Sequence, residues 1–158
     1  MRVCKALPCD MLEIERIYRC ARAFMKDNGN PKQWGDEYPE KDLIENDIRL
    51  NRLYLLKQGD KPCAAFVFYI GDDAAYRNIK GRWKNVLEYG VIHRLASDGS
   101  QRGVFNEVLK FCETKAKTIK IDTHRDNFVM QGLIKSAGFE YCGTVYLENG
   151  DERLAFQK

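Results

Sequence analysis

Apolar positions along this chain alternate between a period near 3.6 and a period of two, and the switches between them delimit its elements. Val3 to Leu7 is a short apolar opening, and Asp10 with Glu13 forms a capping-box pattern ahead of Ile14, Ile17, Ala21 and Phe24 at helical spacing. A strand and then a helix are predicted. Asn28-Gly29-Asn30-Pro31 should end that helix, because glycine suits a C-cap and proline cannot continue. Pro39 opens a second short helix whose apolar stripe is Leu43, Ile44 and Ile48. Leu53 to Leu56 and Pro62 to Ile70 flank Gln58-Gly59-Asp60-Lys61 and read as a hairpin. Residues 71 to 86 are polar and turn-rich, an expected exposed excursion with no readable role, and Leu87 to Ser97 is the central strand.

Beyond it, Val104, Val108, Phe111 and Cys112 share one helical face, and Ile119 and Ile121 alternate with Lys120 and Asp122 in a strand. Val129, Met130, Leu133 and Ala137 mark a further helix closed by Gly138. Phe139 to Tyr146 and Arg153 to Phe156 form a last hairpin around Asn149-Gly150. With no repeat and no linker, residues 1–158 are expected to form one α+β (mixed α/β) domain.

The junction between central strand and third helix carries the clearest chemistry. Ser97-Asp98-Gly99-Ser100-Gln101-Arg102-Gly103-Val104-Phe105 is a Gly/Ser/Arg turn entering an amphipathic helix. Amides of a helix's first turn have no intrahelical acceptor, and with the helix dipole they favour an anion. Gly99 and Gly103 allow close backbone approach, and Arg94 and Arg102 add positive charge. A glycine turn is also an ordinary strand-to-helix connection, so the two readings stand together here.

Composition narrows the field. Lys and Arg total 26 against 23 acidic residues, a net charge of +3 that is too small and dispersed for a nucleic-acid groove but suits an acidic small molecule. No apolar run is long enough to span a bilayer, and Met1-Arg2-Val3-Cys4-Lys5 lacks a signal-peptide core, so a cytoplasmic protein without a membrane partner is expected. The six cysteines lack CxxC spacing, and most read as small buried hydrophobes rather than a metal or redox site. No metal is called for.

Element order, the turn at Ser97 to Phe105, Asn127 shortly after the fifth strand, and Ala137-Gly138-Phe139 closing the next helix together resemble the GNAT superfamily of acyl-CoA-dependent N-acetyltransferases. In that family the turn reads Gln/Arg-x-x-Gly-x-Gly/Ala; here Ser100 and Phe105 depart from it while Gly103 keeps the central glycine. Phe105 clashes with a diphosphate unless its side chain turns into the core. The resemblance implies a mostly antiparallel twisted sheet, splayed at the fourth and fifth strands and flanked by about four helices. It implies acetyl-CoA as co-substrate, gripped by Gln101, Arg102, Gly103, Val104, Phe105 and Asn106, with Leu95, Ala96 and Ser97 as backbone partners of the pantetheine arm and Asn127 as a further contact.

By the same resemblance an acetyl group passes by direct attack to the amine of a small molecule or peptide. The base is either Glu88, from the family's fourth-strand carboxylate, or His93, on chemical grounds. Either is equally readable as structural: His93 as a hydrogen-bonded core residue, Glu88 as a solvated strand start. Asn127 doubles as a helix cap. Ile134 stands where the family places its acid tyrosine, leaving Tyr141, Tyr146 or Ser136 as substitutes, or a thiolate that leaves without help. Asp122 and His124 are spaced as a charge pair, expected either to face solvent or to stand behind the residues that touch the ligand. In the connector, Trp34 and Tyr38 offer aromatic walls and Asp36 and Glu37 offer anions for an acceptor ammonium; alternatively Trp34 plugs the core edge and the acids face water. The rival function is a non-catalytic acyl-CoA sensor. A nucleotide-binding module lacks its motif, an RNA-binding protein lacks the basic-aromatic pattern, and a homodimer is left open.

Overall fold

The computed structural model describes residues 1–158. Eight strands form one sheet: β1 (Arg2–Lys5), β2 (Leu53–Gln58), β3 (Lys61–Ile70), β4 (Lys80–Gly81), β5 (Gly90–Ser97), β6 (Ile119–Thr123), β7 (Glu140–Tyr146) and β8 (Glu152–Gln157). Four α-helices flank it: α1 (Met11–Asp27), α2 (Lys41–Arg49), α3 (Val104–Glu113) and α4 (Phe128–Ser136). Their order in the sheet is β1-β2-β3-β5-β6-β8-β7-β4, and all neighbours are antiparallel except β5 and β6. The two strands expected to splay are β5 and β6, because the two-residue β4 intervenes in the count.

That splay is visible in the register. Gly90, Val91 and Ile92 pair with Ile119, Lys120 and Ile121, and there the ladder stops, so residues 93–97 of β5 have no partner on the β6 side. A bulge reinforces the divergence. On β3 the pairing advances from Ala65 to Val67 while on β5 it passes from Ala96 to His93, which inserts an extra residue where Arg94 has φ +49°. The Tyr18 hydroxyl donates to the Arg94 carbonyl at 3.2 Å and holds the distorted backbone.

Each sheet face carries its own core. Ile14, Ile17, Tyr18 and Ala21 of α1 and Ile44 and Ile48 of α2 pack on Leu53, Leu55, Ala65 and Val67. Val104, Phe105, Val108 and Cys112 of α3, with Ile134 of α4, pack on Phe66, Phe68, Ile92, Ile119 and Ile121 opposite. β3 is buried from Pro62 to Phe68, which explains its unbroken apolar run. Phe105 therefore turns inward, its burial worth about 1.5–3 kcal/mol, and clears the turn.

Several local expectations are corrected. Asp10 does not cap α1; its carboxylate accepts from the Leu7 amide at 2.9 Å in a preceding 3-10 turn, and Glu13 pairs with Arg16. Of the cysteines, Cys63, Cys112 and Cys142 are buried and the other three are not. The central strand starts at Gly90 rather than Leu87. Residues 71–86 are exposed at most positions, as expected, yet the segment is anchored and takes part in the sheet: Tyr76 is 2% exposed, Trp83 donates to its carbonyl at 3.0 Å, and Lys120 Nζ lies 4.0 Å above the Trp83 ring and 3.6 Å above Tyr89. β4 then crosses β7 so closely that a Cβ on Gly81 would sit 2.2 Å from the Cys142 carbonyl.

Candidate active site

The turn after β5 leaves a corner for an anion. Gly99 (φ +79°) and Gly103 (φ +73°) are left-handed, and a Cβ on either would meet only open space. Asp98 shapes the loop, accepting from the Ser100 amide at 2.9 Å, from its hydroxyl at 2.6 Å and from Arg16 at 2.9 Å. Burial favours the neutral Asp98 acid, but the Ser100 and Arg16 donors outweigh it and hold the carboxyl low. The amides of Gln101, Arg102, Gly103, Val104, Phe105 and Asn106 have no acceptor within the protein. Arg102 and Asn106 are exposed, Gln101 partly so, and Val104 and Phe105 are buried. Arg94 lies elsewhere, its guanidinium donating to Asp47 at 2.6 Å and to the Tyr38 hydroxyl at 3.3 Å, so its charge does not serve this corner.

From the corner an apolar groove of about 280 Å³ runs past Leu95, Ala96, Ser97, Val104 and Phe105. Its outer wall is Phe24 of α1 with Val129 and Leu133 of α4. That explains why these two apolar α4 residues are exposed: Ile134 makes the core contact and they line the groove. Through Met25, Leu95, Asn127 and Met130 the groove is continuous with a second cleft of about 490 Å³. Asn127 joins the two by capping α4 with its carbonyl (Met130 amide, 3.0 Å) and donating to Gln33 Oε1 at 2.8 Å.

At the floor of the second cleft His93 stands between two carboxylates. Nε2 is 2.8 Å from Asp73 Oδ2, and Nδ1 is 3.4 Å from Asp122 Oδ1 with no hydrogen bond between them. Asp73 comes from the 71–86 segment, where its other oxygen accepts from the Ala75 amide at 2.8 Å and Tyr69 donates to the oxygen shared with His93. Burial alone would raise the Asp73 carboxyl; the hydrogen bonds from His93, Tyr69 and the Ala75 amide overcome it and hold it at about 2. An acid so lowered is ionised at neutral pH and accepts only, so Nε2 is the nitrogen that donates to Asp73, and Nδ1 is the one turned toward Asp122. Tyr76, pushed well up by burial beside Asp122, stays a donor and bonds Asp122 Oδ1 at 2.6 Å. The carboxylates face different ring nitrogens, so the trio does not form a metal-binding cluster.

Other expected site residues are dispersed. Trp34 and Tyr38 line this cleft, with Trp34 8% exposed against the Tyr18 and Tyr38 rings, so it is both wall and plug. Asp36 is 80% exposed in a surface pair with Lys26, and Glu37 also faces solvent; neither lines the cleft. Glu88 lies before β5, exposed and outside both cavities. Tyr141 is 58% exposed against Phe156, and neither it nor Tyr146 nor Ser136 reaches the groove. Asp122 and His124 do not pair: Asp122 is 9% exposed at the site, and His124 turns to Asp126. Of the residues the structure brings around His93, Asp73 and Arg153 were not singled out from the sequence, and Asp122 was singled out only in a pair with His124.

Comparison with solved structures accords with this architecture. No family model matches the sequence, and no characterised protein matches it closely in sequence. The structure of a GNAT-family acetyltransferase from Streptococcus agalactiae superposes with a TM-score of 0.89 at 27% identity, covering 99% of this chain and 94% of that one. A GNAT-family acetyltransferase from Listeria monocytogenes gives 0.71 at 20% identity, over 99% and 93% of the two chains. A Salmonella typhimurium protein, provisionally named an acetyltransferase and described with its cofactor acetyl-CoA, gives 0.63 at 14%, over 99% and 92%. The latter two speak to fold alone. The chain has the GNAT fold over nearly its whole length, and its resemblance to that superfamily stands. No helix is long and apolar enough to cross a membrane.

Proposed function

We propose that the protein is an acetyl-CoA-dependent N-acetyltransferase acting on an amine in the His93 cleft. The observation that carries this reading is the row of six acceptorless amides, Gln101 to Asn106, at the mouth of an apolar groove that leads to a histidine. A diphosphate satisfies the amides and the dipole of α3. The pantetheine arm follows the unpaired β6-facing edge of residues 93–97, and the Leu95 amide polarises the thioester carbonyl. Thr123 Oγ1, buried in the cleft wall without a partner, is a further donor available to the ligands.

The acceptor enters as an ammonium between His93 Nδ1 and Asp122, where it donates to both. Nδ1 takes its proton, and Asp73 and Asp122 stabilise the imidazolium, as the carboxylate does in hydrolytic triads. The neutral nitrogen attacks the carbonyl carbon; as the tetrahedral intermediate collapses the C–S bond breaks, the second proton of the attacking nitrogen passes through solvent to the departing coenzyme A thiolate, since Ile134 is fully buried in the core, and the imidazolium then returns its proton to solvent. Calorimetry with coenzyme A, followed by thiol release over a panel of amines, tests the assignment. Micromolar binding and release with at least one amine is the expected result. Binding without release on any amine supports an acyl-CoA sensor, and no binding removes both.

A further inference from the structure

The His93 cleft has two poles of opposite charge, and the second is unused by the chemistry above. Arg153 of β8 is 5% exposed yet lines the cleft. Asp122 pairs with Ala155 and Thr123 with Leu154, so by strand alternation Arg153 projects from the same face as Asp122, as a diagonal neighbour about 7–8 Å away at Cα. Its fork is poorly served. Nη1 donates to the Glu152 carbonyl at 3.0 Å, and Nη2 reaches the Gln33 carbonyl at 3.4 Å. The neighbouring carboxylate, Asp151, is 3.8 Å away and forms no hydrogen bond with it. The Nε–H and one N–H on each terminal nitrogen have no acceptor.

A guanidinium that opens onto a cleft with most of its donors unspent offers them to an anion, and a carboxylate matches its planar fork. Lys32, on the overhanging connector, lines the same cleft and has no carboxylate partner. Arg94, a further cation in the wall, spends both terminal nitrogens on Asp47 and Tyr38 and keeps only a buried Nε–H without an acceptor. The cleft is therefore negative at Asp73 and Asp122, while its other end sets Arg153 and Lys32 against the single carboxylate of Asp151, with Trp34, Met25 and Leu147 as apolar surface.

We infer that the acceptor is a free amino acid, its ammonium held between His93 and Asp122 and its carboxylate on Arg153. This rests on the transferase reading for the fate of the amine, but not for the existence of the anion site. The Asp122–Arg153 spacing suits one amino acid better than an extended polyamine, which would bring a second cation to Arg153.

Thiol release at saturating acetyl-CoA should be compared for L-amino acids, their methyl esters and the corresponding decarboxylated amines, alongside saturation-transfer NMR of amino acids on the coenzyme-bound protein. Free amino acids should exceed esters and amines by about tenfold to a hundredfold in kcat/KM, the worth of charge-assisted hydrogen bonds. Arg153→Gln should carry that ratio toward one through KM, and Arg153→Lys, which keeps the charge without the fork, should restore part of it. Esters or amines used as well as amino acids by the wild-type protein would overturn the inference. If nothing is acetylated, NMR contact that is lost in Arg153→Gln upholds the amino acid site while the transferase reading falls; absence of contact sinks both.

Discussion

At the α3 end of the groove the ligand contacts on offer are main-chain amides and apolar side chains, whereas in the His93 cleft they are Asp73, His93, Asp122 and Arg153, each from a different segment. The first half depends on the path of the chain. Ser100 and Phe105 depart from the family's turn and leave the corner open, because amides do not change with side chains and Phe105 is spent on the core. The second half depends on residue identity at single positions, so one substitution can disable it without disturbing the other. The difference predicts that binding of coenzyme and transfer to an amine are separable by mutation, in both directions.

The largest effect is expected at His93. On the proposed mechanism His93→Ala removes the acceptor of the amine proton, and loss of a general base lowers kcat by about 10²–10⁴. Affinity for coenzyme A should be unchanged by calorimetry, since the cradle amides lie across the groove. A variant running at the wild-type rate removes His93 from the mechanism.

The converse separation is predicted at Gly103. Gly103→Glu places a carboxylate in the cradle at φ +73° and should weaken coenzyme A on the order of a hundredfold, through charge at the helix N-terminus and strain in a left-handed position. Gly103→Asn accepts the same backbone conformation without the charge and should bind within a few-fold of wild type. Equal loss in both variants would mean that conformation, not anion repulsion, governs the corner.

The same contrast explains what the sequence disclosed. Gly99, Gly103 and the apolar stripe of α3 lie within a dozen residues, so local periodicity and turn chemistry reach them. The cleft is assembled over longer separations: 20 residues from Asp73 to His93 and 46 from Tyr76 to Asp122. Alternation in Ile119-Lys120-Ile121-Asp122 does put Lys120 and Asp122 on one face, but it cannot say whether water or protein covers that face. The usable signal was Tyr76 and Trp83, two aromatics in a stretch otherwise polar and turn-rich: they pack on each other, Tyr76 also on Tyr89, Trp83 and Tyr89 cover Lys120, and the Tyr89 hydroxyl accepts from the Asp73 amide. Connector acids misled for the opposite reason, because Asp36 and Glu37 suit an ammonium chemically while nothing local shows that they face solvent.

The smallest separable effect is on stability in acid, and it belongs to the cleft. Asp73 titrates at about 2 in the folded protein against 3.8 ordinarily, and each unit is worth 1.36 kcal/mol, so its ionised form contributes about 2 kcal/mol to folding. Because the folded value is the depressed one, that contribution is complete above about pH 4 and is lost as pH falls toward 2. Urea midpoints between pH 5 and 2 should drop steeply for the wild-type protein. Asp73→Asn should start lower at pH 5 and lose about 2 kcal/mol less across the same interval, so the two curves converge in acid. Parallel curves would mean that Asp73 is not held ionised against the imidazole. The assignment of the Nε2 proton, and with it the free Nδ1 that receives the acceptor's proton, would then have to be abandoned, while the amide cradle would stand untouched.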